Sequence, residues 1–394
     1  HSGASGSRSK LRILKCVHMV ESEQDFCDIP VVQQEIKSEI LSRNRIPVEW
    51  DEEPSNILFV KKPNDPRASE YLSVMARYIR EELHLNPFVE YAVRDEFPDI
   101  SYATPEIFQD ISLIVTLGGD GTILWVSHLF PEGVPPLIAF HSGTLGFLAP
   151  FELEEYPEVL KSCTDTSNTF GVSIRNRLIV SIARYEEEEE EEEDEGEGMS
   201  PQDGNSDPVP FKGKLETLEG GGVALNEVLV ERSTSAIAVL EAFVDDIFLT
   251  TVQADGIIYS TTTGSTAYNM SAGGSMAHPS VPCMLLTPIC PHSLSFRPLI
   301  LPDSVTMRLQ VPLYARAGCR VTLDGREVSH LKQGDSVVIR QHEYPIAAVM
   351  RDQDAGSSEW FQQLTGALNW NQRGGSLSRQ SRKPRRNGGV NSAT

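Results

Sequence analysis

Leu113-Ile114-Val115-Thr116-Leu117 runs without a charge into Gly118-Gly119-Asp120-Gly121-Thr122, and an apolar stretch from Ile123 to Phe130 follows at once. A run so apolar and so rich in β-formers reads as a strand covered on both faces, which calls for a parallel sheet with helices on either side. Its surroundings repeat the pattern. Ile57 to Val60 is another short apolar strand, and Arg67 to Leu85 carries Leu72, Met75, Ile79 and Leu83 at helical spacing. Phe88 to Val93 reads as the next strand and Leu137 to Phe140 as a further buried one. This alternation predicts a Rossmann-like α/β domain with a parallel sheet. After Pro150 the texture changes to short segments rich in Val, Ile and Thr, among them Leu178 to Ala183, Val223 to Val230, Ala236 to Phe243, Ile257 to Thr261 and Cys319 to Leu323. Those segments predict an all-β second domain, a β-sandwich.

The glycine turn lies between a buried strand and a helix, where ligands dock in open α/β sheets. Glycines there permit positive φ and remove Cβ atoms that would hold a phosphate chain away from backbone amides, and a helix start supplies free N–H groups. An aspartate in such a turn adds charge of the wrong sign for simple phosphate binding. It makes chemical sense as an acceptor for the proton of an attacking hydroxyl. The plainer reading makes Asp120 a helix cap and the glycines a bend. No Lys-Ser or Lys-Thr closes the turn, so it is not a Walker A loop.

Further along, Asn226-Glu227 sets an amide that donates and accepts beside a carboxylate that accepts, a pair suited to the adjacent hydroxyls of a ribose. Flanking valines and leucines place both within a strand, where neighbours point to opposite faces and one of the two can face the surface. Thr263 to Tyr268 is small and hydroxylated, with a tyrosine ring able to lie along a flat base.

Strand, Gly-Gly-Asp-Gly-Thr and helix together resemble the signature shared by NAD kinases, phosphofructokinases and the diacylglycerol and sphingosine kinases. Three further segments, in order, resemble NAD kinases: Phe140 to Leu148, Leu225-Asn226-Glu227-Val228, and Asp255-Gly256 through Thr263-Gly264-Ser265-Thr266-Ala267-Tyr268. Thr287 to Pro298 is closer to the animal members, and the likeness runs from about Asn56 to Trp370. The resemblance implies a phosphofructokinase-like first domain and transfer of the terminal phosphate of ATP to the 2′-hydroxyl of NAD. In it Asp120 is the catalytic base, Gly118, Gly119, Gly121 and Thr122 meet the ATP phosphates, and Asp120, Gly121, Asn226, Glu227, Asp255, Thr266, Ala267, Tyr268 and Ser271 meet NAD. Mg²⁺, or another divalent cation, enters with ATP and has no direct protein ligand. A dimer or tetramer is implied as well. Ala254 and Thr262 replace the family's usual Gly and Pro, and Gln253 stands where bacterial members carry Lys, so that contact is not carried over. Two rivals remain: a lipid kinase using the same turn, and a sensor that binds NAD or NADP without turnover.

Composition limits partners more than chemistry. The net charge of -22 owes 11 negative charges to Glu186 through Glu193, Asp194, Glu195 and Glu197, a self-repelling block that reads as a solvated insert and not a docking tail. Neither a nucleic-acid partner nor a membrane is expected, since no apolar run reaches spanning length. Six scattered cysteines without a Cys-x-x-Cys pair fit free thiols in a reducing, cytoplasmic compartment. The expected plan is a flexible leader at 1–55, an α/β domain at 56–150 completed by 355–371, an all-β domain at 151–354 with a disordered insert at 186–210, and a basic tail at 372–394.

Overall fold

A computed structural model describes residues 11–13, 45–143, 146–185, 213–218, 222–293, 295–351 and 358–368. The acidic insert, the basic tail and most of the leader lie outside the described residues.

The first domain comprises β1 (Leu11–Ile13), β2 (Arg45–Trp50), β3 (Asn56–Lys61), α1 (Pro66–Glu81), β4 (Asn86–Val89), β5 (Ser101–Tyr102), α2 (Pro105–Phe108), β6 (Ile111–Gly118), α3 (Asp120–Leu129), β7 (Leu137–His141), β8 (Phe151–Glu152), α4 (Tyr156–Thr164) and β9 (Phe170–Arg175). Among the described residues its sheet runs β1-β2-β9-β23-β7-β6-β3-β4-β5, where β23 (Ile346–Val349) returns from the far end of the chain. From β7 to β5 the strands are parallel, and from β1 to β23 antiparallel. The expected boundaries therefore shift. Arg45–Trp50, assigned to the leader, pairs with β9, while α4, β9 and β23, assigned to the second domain, complete the first. β9 and β23 are short and apolar like the strands of the sandwich, so composition alone does not say which sheet they join. Phe88 to Val93 is also shorter than a strand: β4 ends at Val89, and a 3-10 turn spans Tyr91–Glu96.

α1 starts where Asp65 accepts from the Ala68 N–H beside Pro66 at its first position, and it buries Ala68, Leu72, Met75, Ala76 and Ile79 along one stripe. It stops four residues before the expected Leu85, with His84 at φ 56 turning the chain out of helix. α1 packs with Ile57, Phe59, Leu113 and Val115 on one face of the sheet. α3 packs Ile123 and Val126 with Leu58, Val60 and Ile114 on the other. The chain thus leaves β3 in one direction and β6 in the other, which makes their shared carboxyl ends the topological switch point of the sheet.

The second domain contains β10 (Leu178–Tyr185), β11 (Gly213–Thr217), β12 (Val223–Ala224), β13 (Glu227–Arg232), β14 (Ala238–Val244), β15 (Ile247–Ala254), β16 (Gly256–Thr261), α5 (Tyr268–Ser271), β17 (Cys283–Ile289), β18 (Leu299–Pro302), β19 (Met307–Gln310), β20 (Cys319–Leu323), β21 (Arg326–Leu331) and β22 (Ser336–Gln341). They form two antiparallel sheets, β11-β10-β22-β19-β14-β15 and β18-β17-β16-β13-β20-β21. Alternate residues of β10 and β14 point inward and meet β13, β16, β17 and β20 in one apolar core, a β-sandwich as expected. The 186–210 insert falls between β10 and β11, whose ends pair Tyr185 with Gly213. The last helix, α6 (Ser358–Leu368), stacks Trp360 and Phe361 near His278.

Candidate active site

Gly118 ends β6 and Asp120 opens α3, with Gly119 as the N-cap. None of the three glycines of this turn has positive φ, contrary to the expectation from sequence. Their use is space. A Cβ on Gly118 would lie 2.2 Å from Thr122 Oγ1, whereas one on Gly119 or Gly121 would meet nothing within 4 Å, so those two face open cleft. That cleft, about 740 Å³, lies at the switch point and is lined by Lys61, Lys62, Glu90, Glu96, Thr122 and Trp125 among others. Its volume suits a drug-sized or nucleotide-sized ligand. Lys61 is almost wholly buried and its Nζ sits 2.9 Å from Glu96. Lys62 is exposed at the same strand end.

The Asp120 side chain caps nothing in its own helix. Oδ2 accepts from the Phe147 N–H and Oδ1 from the Leu148 N–H, each at 3.0 Å. Gly146 makes this approach possible, because a Cβ there would lie 2.3 Å from Asp120 Oδ1. The near end of the same loop is held too: Ser142 donates its hydroxyl to Asp65 Oδ2 at 2.6 Å and its N–H to the Gly118 carbonyl. Asp65 and Asp120 thus pin the two ends of the loop between β7 and β8, and each Asp120 oxygen keeps a lone pair for a further donor.

Across the domain junction, Asn226 and Glu227 depart from the expected alternation. The strand breaks between β12 and β13, and both residues are 8% exposed. The break is held by Asp324, whose carboxylate accepts from the N–H groups of Leu225, Asn226 and Glu227 at 2.7, 2.8 and 3.1 Å. Sequence reading missed Asp324, although Asp324-Gly325 between two β-rich runs, β20 and β21, is a hairpin signal. Leu225, one residue before Asn226, buries its side chain in the first domain's core with Ile123 and Val126 of α3. That packing brings the Asn-Glu pair to the helix that begins with Asp120.

The Thr263 to Tyr268 segment meets the same pair. Ser260 and Thr261 donate hydroxyls to the Asn226 carbonyl at 3.1 and 3.3 Å, and a Cβ on Gly264 would lie 2.2 Å from that carbonyl. Thr266 donates to the Thr263 carbonyl, and the Ala267 N–H reaches Gly264. Asn269, also missed, is wholly buried and joins the Ser265 and Ser275 carbonyls to the Thr287 hydroxyl. Tyr268 is half-exposed, and its phenol is pushed upward first by burial and then by the charges of Glu231, Cys290, Glu227 and Asp255. Asp255 pairs with Arg232 at 3.2 Å, and Ser271 is exposed at the end of α5. Glu227 Oε2 and Thr263 Oγ1 are buried without a hydrogen-bond partner among the described residues. Buried polar atoms in this state call for a partner, either ordered water or a ligand group.

The profile described as the ATP-NAD kinase N-terminal domain matches residues 36–167, and the one described as the ATP-NAD kinase C-terminal domain matches 225–350. The chain belongs to the NAD kinase family. It is 37% identical over 346 residues to "Probable NAD kinase 1" of Oryza sativa subsp. japonica, covering 84% of this chain and 59% of that protein. The chain therefore spans about three fifths of that relative's length. The crystal structure of yeast NADH kinase complexed with NADH superposes with a TM-score of 0.67 at 30% identity, covering 84% of this chain and 92% of the other. An Archaeoglobus fulgidus NAD kinase in complex with ATP, at 19% identity and a TM-score of 0.56, shares the fold over 79% of this chain and 99% of its own. In this member of the NAD kinase family, the Asp120 turn falls in the N-terminal match, and Asn226-Glu227 with Asp255 to Tyr268 fall in the C-terminal one.

Glu227 also gives a stability test. Burial and the nearby Asp324 charge push its carboxyl up to about 7. The folded chain then keeps a proton that the unfolded chain releases, so stability falls as pH rises from the ordinary carboxyl range through about 7. Glu227→Gln is expected to raise unfolding free energy at pH 8 by up to about 3 kcal/mol and to leave it unchanged at pH 4. Urea titrations at both pH values check this. His128, pushed down to about 4 by burial, acts in the opposite direction as pH falls, but it is common to both proteins and cancels. No gain at pH 8 would mean that Glu227 is not strained by its site.

Proposed function

We propose that the chain is an NAD kinase, transferring the terminal phosphate of ATP to the 2′-hydroxyl of the adenosine ribose of NAD to give NADP. The observation that carries this is the position of Asp120: a carboxylate at the switch-point crevice, with open glycine positions on one side and the buried Asn226-Glu227 pair, tied in through Leu225, on the other. In this reading the ATP phosphates lie against Gly118, Gly119, Gly121 and Thr122, where the amides at the start of α3 and the exposed Lys62 charge meet them. NAD lies along Asn226, Glu227, Asp255, Thr266, Ala267, Tyr268 and Ser271, its ribose hydroxyls satisfying the orphaned Glu227 and Thr263 oxygens. Asp120 orients the 2′-hydroxyl and takes its proton as the new O–P bond forms and the ADP oxygen leaves. Positioning and charge neutralisation supply most of the acceleration.

Mg²⁺ fits as a companion of the nucleotide, because the cleft carboxylates of Glu96 and Glu90 are engaged by Lys61 and Trp125. When bound, the cation neutralises phosphate charge. Four described cysteines are free thiols, which supports a reducing, cytoplasmic setting. No described helix is long and apolar enough to cross a membrane. Self-association into dimers or tetramers is supported by Ile247, Phe248 and Leu249, three successive exposed apolar residues on the edge strand β15. The deciding experiment is NADP formation from NAD with ATP and Mg²⁺, run beside diacylglycerol as rival acceptor. Labelled lipid without NADP would overturn the reading in favour of a lipid kinase, and NAD binding without any product would leave a sensor.

A further inference from the structure

The cleft at the glycine turn has a second end. It extends along α3 to Trp125, four residues after Gly121 and so on the same face of the helix. Trp125 is 41% exposed, yet its orientation is fixed, because the indole N–H donates to Glu90 Oε2 at 2.7 Å. Glu90 is itself 6% exposed and sits at the carboxyl end of β4, so the acceptor that aims the ring is anchored in the sheet. The wall here continues through Ala92 and Val93. A cation lies at the glycine end, where the Lys62 Cβ is 3.0 Å from where a Gly118 Cβ would stand. The cleft therefore has a cationic end beside the open glycines and an aromatic end one helical turn away.

We propose that Trp125, aimed by Glu90, is the base platform of the phosphate donor site. The nucleobase of the donor lies on the indole face, its ribose crosses the middle of the cleft, and its phosphates run back to Gly119, Gly121 and Lys62. The inference rests on the proposed function in taking this cleft as the donor side. It adds a choice between donor classes. An inorganic polyphosphate has nothing to place on an aromatic ring, and the Glu90 carboxylate beside that ring opposes a second stretch of phosphate charge. The site selects a nucleoside triphosphate over polyphosphate, and it discriminates weakly among bases because every base offers a π face.

The test compares the parent protein, Trp125→Phe and Trp125→Ala, with Mg-ATP and inorganic tripolyphosphate as ligands in calorimetric titrations, which need no turnover. The parent is expected to bind ATP at least about tenfold more tightly than tripolyphosphate, and Trp125→Ala to lose about 10- to 100-fold in ATP affinity with tripolyphosphate unmoved. Trp125→Phe, which keeps a ring, is expected to stay within a few-fold of the parent. In turnover the ATP KM rises in Trp125→Ala while the NAD KM does not. Equal parent affinity for the two donors overturns the platform even if the Ala variant folds poorly. So does an unchanged ATP affinity in Trp125→Ala, or an equal loss for ATP and tripolyphosphate. Absence of NADP from a parent that still binds ATP by this pattern would sink the kinase reading and leave the platform standing.

Discussion

Asp120→Asn is expected to lower kcat for NADP formation by about two to four orders of magnitude, with the NAD KM held within a few-fold. An amide keeps the shape of the carboxylate and has one acceptor oxygen in place of two. Its NH₂ must then face either the Phe147 or the Leu148 N–H. Two opposed donors cost about 1–3 kcal/mol, so the variant should also unfold at lower denaturant concentration. The chemical and the structural loss can be separated with Gly146→Ala, which crowds the same carboxylate without removing it. If loss of the base is the cause, Gly146→Ala shares the loss of stability but keeps kcat far above that of the Asn variant. A turnover in Asp120→Asn above a tenth of the parent's would contradict the base role.

Arg177→Met is expected to cost about 3–5 kcal/mol of unfolding free energy, read by urea titration at constant pH. Arg177 is wholly buried in the segment that crosses from β9 to β10. Nε donates to the Tyr344 carbonyl at 2.7 Å, Nη1 to Ser127 and Phe130, and Nη2 to Glu132 at 2.6 Å. The guanidinium thus closes the carboxyl end of α3, where the helix dipole favours a cation, and ties it to the chain returning through Tyr344. Burial lowers its pKa to about 10, which still leaves it charged at neutral pH. Removing it strands several carbonyls at once, so the loss exceeds that of a single hydrogen bond. Arg177→Lys should recover less than half, since an ammonium lacks the planar fork that reaches all four acceptors. A loss below about 1 kcal/mol in Arg177→Met would show that water or rearrangement meets those carbonyls.

The Asp120 turn, the Asn-Glu pair and the Thr263 to Tyr268 segment were all readable from residue order, because each is local: a strand, a few residues of fixed chemistry, then a helix or loop. The sandwich was readable for the same reason, through its spacing of two and its turn residues. What fell outside was the work of residues distant in sequence. Asp324 reaches back across 98 positions to hold Asn226, and Arg177 reaches 167 forward to Tyr344. No periodicity encodes such partners. The glycine turn shows the division most clearly. Sequence fixed its place at the end of a buried strand and its fitness for phosphate. The reason for its glycines, which is space and not positive φ, and the two amides that grip Asp120 come from a loop brought against it by the sheet order. Local propensity and apolar spacing are set by neighbours along the chain, so the sequence alone determined the elements and the motifs. Which carboxylate meets which amide depends on how the sheet and sandwich bury their apolar faces together, and only the tertiary structure decided it.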